Sequence, residues 1–147
     1  MKRGTWAEIN LNNIKHNFHA LKNTLKSDTK VCCVVKADAY GHGAVEVAKM
    51  LQQEKADYFS VARFEEAVEL RNNNIHTPIL CMGYISECDI EEAINRYIGI
   101  TVYSYEMAKI INQKAGKLGK KASIHIKIDT GMSRLGFLTD DNSINDI

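Results

Sequence analysis

The sequence predicts an α/β chain of repeated β–α units, and two observations carry that prediction. Short apolar segments of strand length recur at 31–35, 58–62, 78–83, 98–103 and 123–129, and helical apolar patterns fill the intervals at 43–53, 63–72, 87–95 and 105–118. Strands alternating with helices favour parallel pairing through right-handed crossovers, which leaves a (β/α) barrel or an open doubly wound sheet. Length favours the open sheet, since a closed eight-stranded barrel takes roughly 200 residues or more and this chain has 147. Chemistry favours the barrel: Lys36 ends the first strand of the series, Arg134 follows the last, and barrel strands deliver their C-terminal ends to one pocket.

Ahead of the first unit, residues 12–26 carry Ile14, Phe18, Leu21 and Leu25 at helical spacing, with Asn10 or Asn12 available as N-cap. The first strand, Val31-Cys32-Cys33-Val34-Val35, runs directly into Lys36-Ala37-Asp38-Ala39-Tyr40-Gly41-His42-Gly43. A lysine at this position is held against buried surface, where desolvation favours the neutral amine that attacks a carbonyl; the alternative is a lysine that ends a strand by reaching water. Gly41 and Gly43 allow a tight turn into the next helix. The last strand alternates, with Ile124, Ile126 and Ile128 on one face and His125, Lys127 and Asp129 on the other. Its polar face either points into a site or marks a solvent-facing edge strand.

Composition narrows the classes. Nineteen basic and 18 acidic side chains leave a net charge of +1, which gives no electrostatic reason to expect nucleic acid or an anionic membrane as partner. A small molecule is the expected partner. No apolar run has membrane length, and Gly4 to Asn10 breaks any leader-like segment, so a cytoplasmic chain is expected. The four cysteines show no disulfide framework or metal-ligand spacing; they read as buried thiols, with Cys32 and Cys33 on opposite faces of their strand. His16 and His19 lie three apart on the first helix, but without further ligands they read as an exposed polar face, and no metal site is expected. Glu65, Glu66 and Glu69, like Glu91 and Glu92, read as solvated helix faces.

Two motifs carry a resemblance. Val34-Val35-Lys36-Ala37-Asp38-Ala39-Tyr40-Gly41-His42-Gly43 resembles the pyridoxal-phosphate signature of the alanine racemase family, and Lys127-Ile128-Asp129-Thr130-Gly131-Met132-Ser133-Arg134-Leu135-Gly136 resembles the same family's strand-and-loop segment. Thr5 to Leu11 is similar to its first strand, so the resemblance covers essentially the whole chain. It implies the N-terminal part of a (β/α)8 TIM-type barrel, truncated after about five internal strands and occupying residues 12–147. Residues 1–11 would be a strand that joins a C-terminal β domain. Residues 138–147 read as a capped helix start cut off early.

The implied function is pyridoxal-phosphate-dependent interconversion of L- and D-alanine, supplying D-alanine for peptidoglycan, by a homodimer of the full-length enzyme; this part alone is expected to be inactive. Lys36 would carry the cofactor as an aldimine and act as base for the D-enantiomer's α-proton, while the second base is a tyrosine from the other subunit that matches nothing here. Tyr40 would help hold the cofactor phosphate. Arg134 would reach the cofactor's phenolic oxygen and the substrate carboxylate, and Lys127 matches a lysine often carbamylated in the family. Asp38 stands where asparagine is frequent and Ser133 where glycine is frequent, and Ser133 questions the match of that loop's backbone. A same-fold racemase of serine or another amino acid is the nearest alternative. A non-catalytic pyridoxal-phosphate-binding homeostasis protein is another, but it lacks the Asp129 to Met132 and Arg134 to Gly136 elements. An open five-stranded binding module is the reading that ignores the family.

Overall fold

A computed structural model describes residues 4–139. Five strands form one parallel sheet: β1 (Cys32–Val34), β2 (Tyr58–Val61), β3 (Ile79–Cys81), β4 (Ile98–Val102) and β5 (Ile124–Ile126). Their spatial order is β1-β2-β3-β4-β5, the order of the chain. A doubly wound sheet reverses direction at a switch point, and this one does not. Every crossover therefore steps the same way, which is the construction of a (β/α) barrel. Curvature is visible directly: the Tyr58 ring of β2 meets the His125 ring of β5 edge-on at 6.3 Å, across the hollow of the sheet.

Helix α1 (Leu11–Lys22) starts at Asn10, whose side chain accepts the N–H groups of Asn12 and Asn13. It ends four residues before the expected Lys26, and Leu21 and Leu25 are exposed while Phe18 alone is buried. Residues 5–10 adopt no regular element. One short turn, α2 (Lys36–Gly41), comes after β1, and the longer crossover helices are α3 (Ala44–Gln53), α4 (Phe64–Asn72), α5 (Ile90–Asn95) and α6 (Tyr105–Leu118). The segment expected as a helix over 87–95 opens as a 3-10 turn, Glu87–Asp89, before α5.

The four crossover helices stop by a common device. Each is succeeded by a left-handed residue, Lys55, Asn74, Tyr97 or Gly119, and only the last is glycine. After α3, α4 and α6 the next N–H reaches back five residues, Ala56 to Leu51, Ile75 to Leu70 and Lys120 to Ala115, satisfying a carbonyl that the helix end leaves open. Ile75 is then fully buried. Beneath this end of the sheet, Arg71 donates to the carbonyls of Ile75, Thr77, Arg96 and Tyr97, tying together the loops that feed β3 and β4.

The core lies between the sheet's outer face and the helices. Phe59, Val61, Ile79, Cys81, Ile98, Ile100 and Val102 fill it from the strands, and Ala48, Leu51, Ala67, Leu70, Ala93 and Ile111 meet them from the helices. Strand register puts Ser60, Leu80, Gly99, Thr101 and His125 on the opposite, inner face. Ile124, Ile126 and Ile128 are each close to half exposed. The cysteine reading needs correction. Cys81 is buried and Cys33 partly so, and burial pushes both thiols up to about 11; Cys32 and Cys88 are exposed. No helix of the described residues is long and apolar enough to cross a membrane.

Candidate functional site

Parallel strands end together, and the residues just past those ends enclose a cavity of about 670 Å³. Lys36 enters it after β1, Gly83 after β3, and Lys127 and Arg134 after β5, with Thr101 and His125 forming the floor from the inner face. The sequence motifs that lie almost a hundred residues apart thus share one wall. From the polar face of the last strand His125 and Lys127 line this cavity and Asp129 does not, while Ile126 and Ile128 line it from the other face.

Lys36 is half-buried, not sealed against the core, because the inner face of β1 is open, with Val34 42% exposed. The turn immediately after Lys36 has the most unusual backbone of the chain. Ala37, Asp38, Ala39 and Tyr40 all take left-handed helical angles, with φ between 50 and 55°. For residues carrying a Cβ this costs about 1–2 kcal/mol each, and such geometry persists only where the surroundings over-determine it. Here they do. Ala39 N–H donates to Val35 O, Gly43 N–H to Asp38 O, His42 N–H to Ala39 O, and the Asp38 carboxylate accepts the Ala44 N–H that opens α3. Gly41 and Gly43 continue with φ of 86° and 88°, as expected of them.

The remaining anchor is Glu66, in the first turn of α4. One carboxylate oxygen accepts Ala37 N–H at 2.8 Å; the other accepts Ala62 N–H at 2.8 Å and Arg63 N–H at 3.1 Å. Burial works to raise its pKa, and these three backbone donors, with the Arg63 charge, more than reverse that, so the carboxyl is held below its usual range. The solvated-face reading holds for Glu65 and Glu69, which are exposed, but not for half-buried Glu66. The missed signal is local: a glutamate three residues past Arg63, at the start of an apolar helix, occupies the reciprocal position of a capping box.

The second loop is built around Asp129. Its carboxylate accepts the N–H groups of Ser133, Gly131 and Arg134, which hold its pKa below the usual value. Ser133 takes φ of 56°, so a serine does occupy the left-handed position that raised doubt about this loop. At Gly136 a Cβ would stand 2.4 Å from Asp129 N and 2.8 Å from Ile128 C, where Asp129 N–H bonds Phe137 O. Tyr40 stands outside the cavity wall: it is 61% exposed, and Lys36 Nζ lies 5.9 Å from its ring centroid. His19 pairs with Glu54 at 2.7 Å, and among the described residues no cluster of His, Cys, Asp or Glu is arranged for a metal.

Comparison with known proteins matches residues 9–144 to the family model described as alanine racemase, N-terminal domain. The alanine racemase of Methanococcus maripaludis is 49% identical over 142 residues, covering 97% of this chain and 38% of that protein. That of Clostridium tetani is 45% identical, over 99% of this chain and 37% of the relative. Among solved structures, the alanine racemase of Clostridium difficile 630 superposes with a TM-score of 0.93 at 51% identity, over 99% of this chain and 38% of that one. The chain therefore spans about two fifths of the length of the relatives it matches.

Proposed function

Because this chain belongs to the alanine racemase family through its N-terminal domain, we propose that the protein to which it contributes is a pyridoxal-phosphate-dependent enzyme interconverting L- and D-alanine. The observation that carries the reading is the single cavity in which Lys36, Lys127 and Arg134 converge at the C-terminal strand ends. Its volume suits a small-molecule site. Its chemistry suits the cofactor: a primary amine for the aldehyde, and the Arg134 guanidinium for a group that carries anionic oxygens.

When bound, pyridoxal phosphate supplies the electron sink that makes an amino-acid Cα–H acidic. This chain's residues supply the rest. Lys36 would hold the cofactor through its amine and, once freed, would take the α-proton of D-alanine at Nζ in one direction and deliver a proton to that same face in the other. Arg134 offers a planar fork to the phenolic oxygen and the substrate carboxylate. Lys127, carbamylated, gives Arg134 an anionic partner in the same wall. Tyr40, which lies outside the cavity wall, is assigned to the cofactor phosphate on the resemblance of its motif alone. Racemisation needs a second base on the opposite face, and this reading assigns it to the partner subunit of a cytoplasmic homodimer. Borohydride reduction of the complete protein and subsequent peptide mapping test the assignment: the pyridoxyl group is expected on Lys36, and label on another lysine removes its basis.

A further inference from the structure

We infer that Glu66 is a positioning residue for Lys36, acting through the peptide bond on the C-terminal side of the lysine. The inference rests on the reading of Lys36 as the reactive amine. Ala37 N–H is the first backbone donor after Lys36, and it points out of the left-handed turn at Glu66 Oε1, 2.8 Å away. Glu66 Oε2 is occupied by Ala62 and Arg63 N–H, at the junction of β2 and α4. One carboxylate, 29 residues from Ala37 in sequence, thus ties the exit of the first strand to the exit of the second.

The consequence for chemistry is directional. The Cα–Cβ vector of Lys36 is set by the peptides on either side of it. Val35 N–H is fixed to Ser60 O at 2.9 Å, which holds the peptide before Val35 to β2. Beyond the lysine, the Ala37 contact is the nearest restraint, and the next is Ala39 N–H on Val35 O. Four consecutive residues in left-handed geometry have an easier alternative open to them once that restraint is lost. Releasing Ala37 lets the turn relax and swings Nζ within the cavity, and a misplacement of about 1 Å costs on the order of a hundredfold in rate. A helix cap alone needs only Oε2, so the use of both oxygens is what separates positioning from capping.

The test uses the complete enzyme with Glu66→Gln and Glu66→Ala, and with Glu69→Gln as the exposed control. Glutamine keeps the shape but has one acceptor oxygen for donors on two sides. Expected for Glu66→Gln are faster amide exchange across residues 36–43, at least about tenfold weaker pyridoxal-phosphate binding by visible absorbance, and a fall in kcat of about ten- to a hundredfold, with Tm close to the parent. Glu69→Gln should match the parent throughout. Faster exchange confined to the first turn of α4, with cofactor affinity and kcat unchanged, overturns the proposal. So does a loss of cofactor binding that merely tracks Tm through the two Glu66 variants. If reduction of the parent enzyme labels another lysine, the Lys36 assignment itself has failed and the proposal falls with it; correct labelling with unaltered binding and turnover in Glu66→Gln overturns the proposal alone.

Discussion

Arg134 reaches the cavity from a loop whose shape is dictated by one carboxylate. Asp129 collects three backbone donors, and the last is the N–H of Arg134 itself, so the guanidinium starts from a fixed root. A charged fork on a fixed root is suited to a ligand with two oxygens at set spacing. Lysine in its place would keep the charge and lose the fork. Since a hydrogen bond to a charged group contributes about 1.5–3 kcal/mol, Arg134→Lys in the complete enzyme should lower kcat/KM by about ten- to a hundredfold. The side chain is exposed and outside the core, so Tm should stay within about a degree or two. Steady-state kinetics beside a thermal melt check both halves, and unchanged turnover would count against the role of Arg134.

Among the elements, the ones legible from sequence are those whose local and tertiary signals agree. Helix α6 falls at 105–118 as expected because Ser104 caps it, Met107, Ile111 and Ala115 form a stripe, and Gly119 closes it. The left-handed turn at 37–40 was not legible, since Ala and Tyr disfavour it, Asp visits it only as a single residue, and its restraints come from residues as distant as Glu66. Glycine meaning was only partly legible for the same reason. Gly136 has φ of 140° and backbone atoms 2.4 and 2.8 Å from where a Cβ would stand, whereas at Gly116, inside α6, a Cβ would meet nothing within 4 Å. Gly136→Ala should therefore destabilise by about 2 kcal/mol or more through backbone strain that no rotamer relieves. Gly116→Ala should stabilise by about 0.5–1 kcal/mol through helix propensity. Denaturant melts of the two variants should shift the midpoint in opposite directions, and a tolerated Gly136→Ala would mean that Asp129 does not hold its loop closed against Gly136.

At the scale of the whole molecule, the same sheet that assembles the site leaves its own surfaces uncovered. Among the described residues β1 and β5 each pair on one side only, so two strand edges present unpaired N–H and C=O groups. Next to one edge, Ile124, Ile126 and Ile128 are 46%, 49% and 47% exposed, and a cavity of about 390 Å³ opens between α6 and Ile124. On the inner face beside the other edge, Val34 is 42% exposed. Apolar surface beside a free strand edge is a template for association. The 147-residue chain, produced by itself, should therefore self-associate at micromolar concentration, which sedimentation velocity reads directly. It should also fail to racemise alanine with added cofactor, because the cavity offers an amine on one face and the reaction needs a proton carrier on each. A well-behaved monomer would mean that other contacts protect the edges. Substantial Lys36-dependent turnover would mean that one face suffices, and the division of labour proposed between this domain and its partner subunit would have to be abandoned.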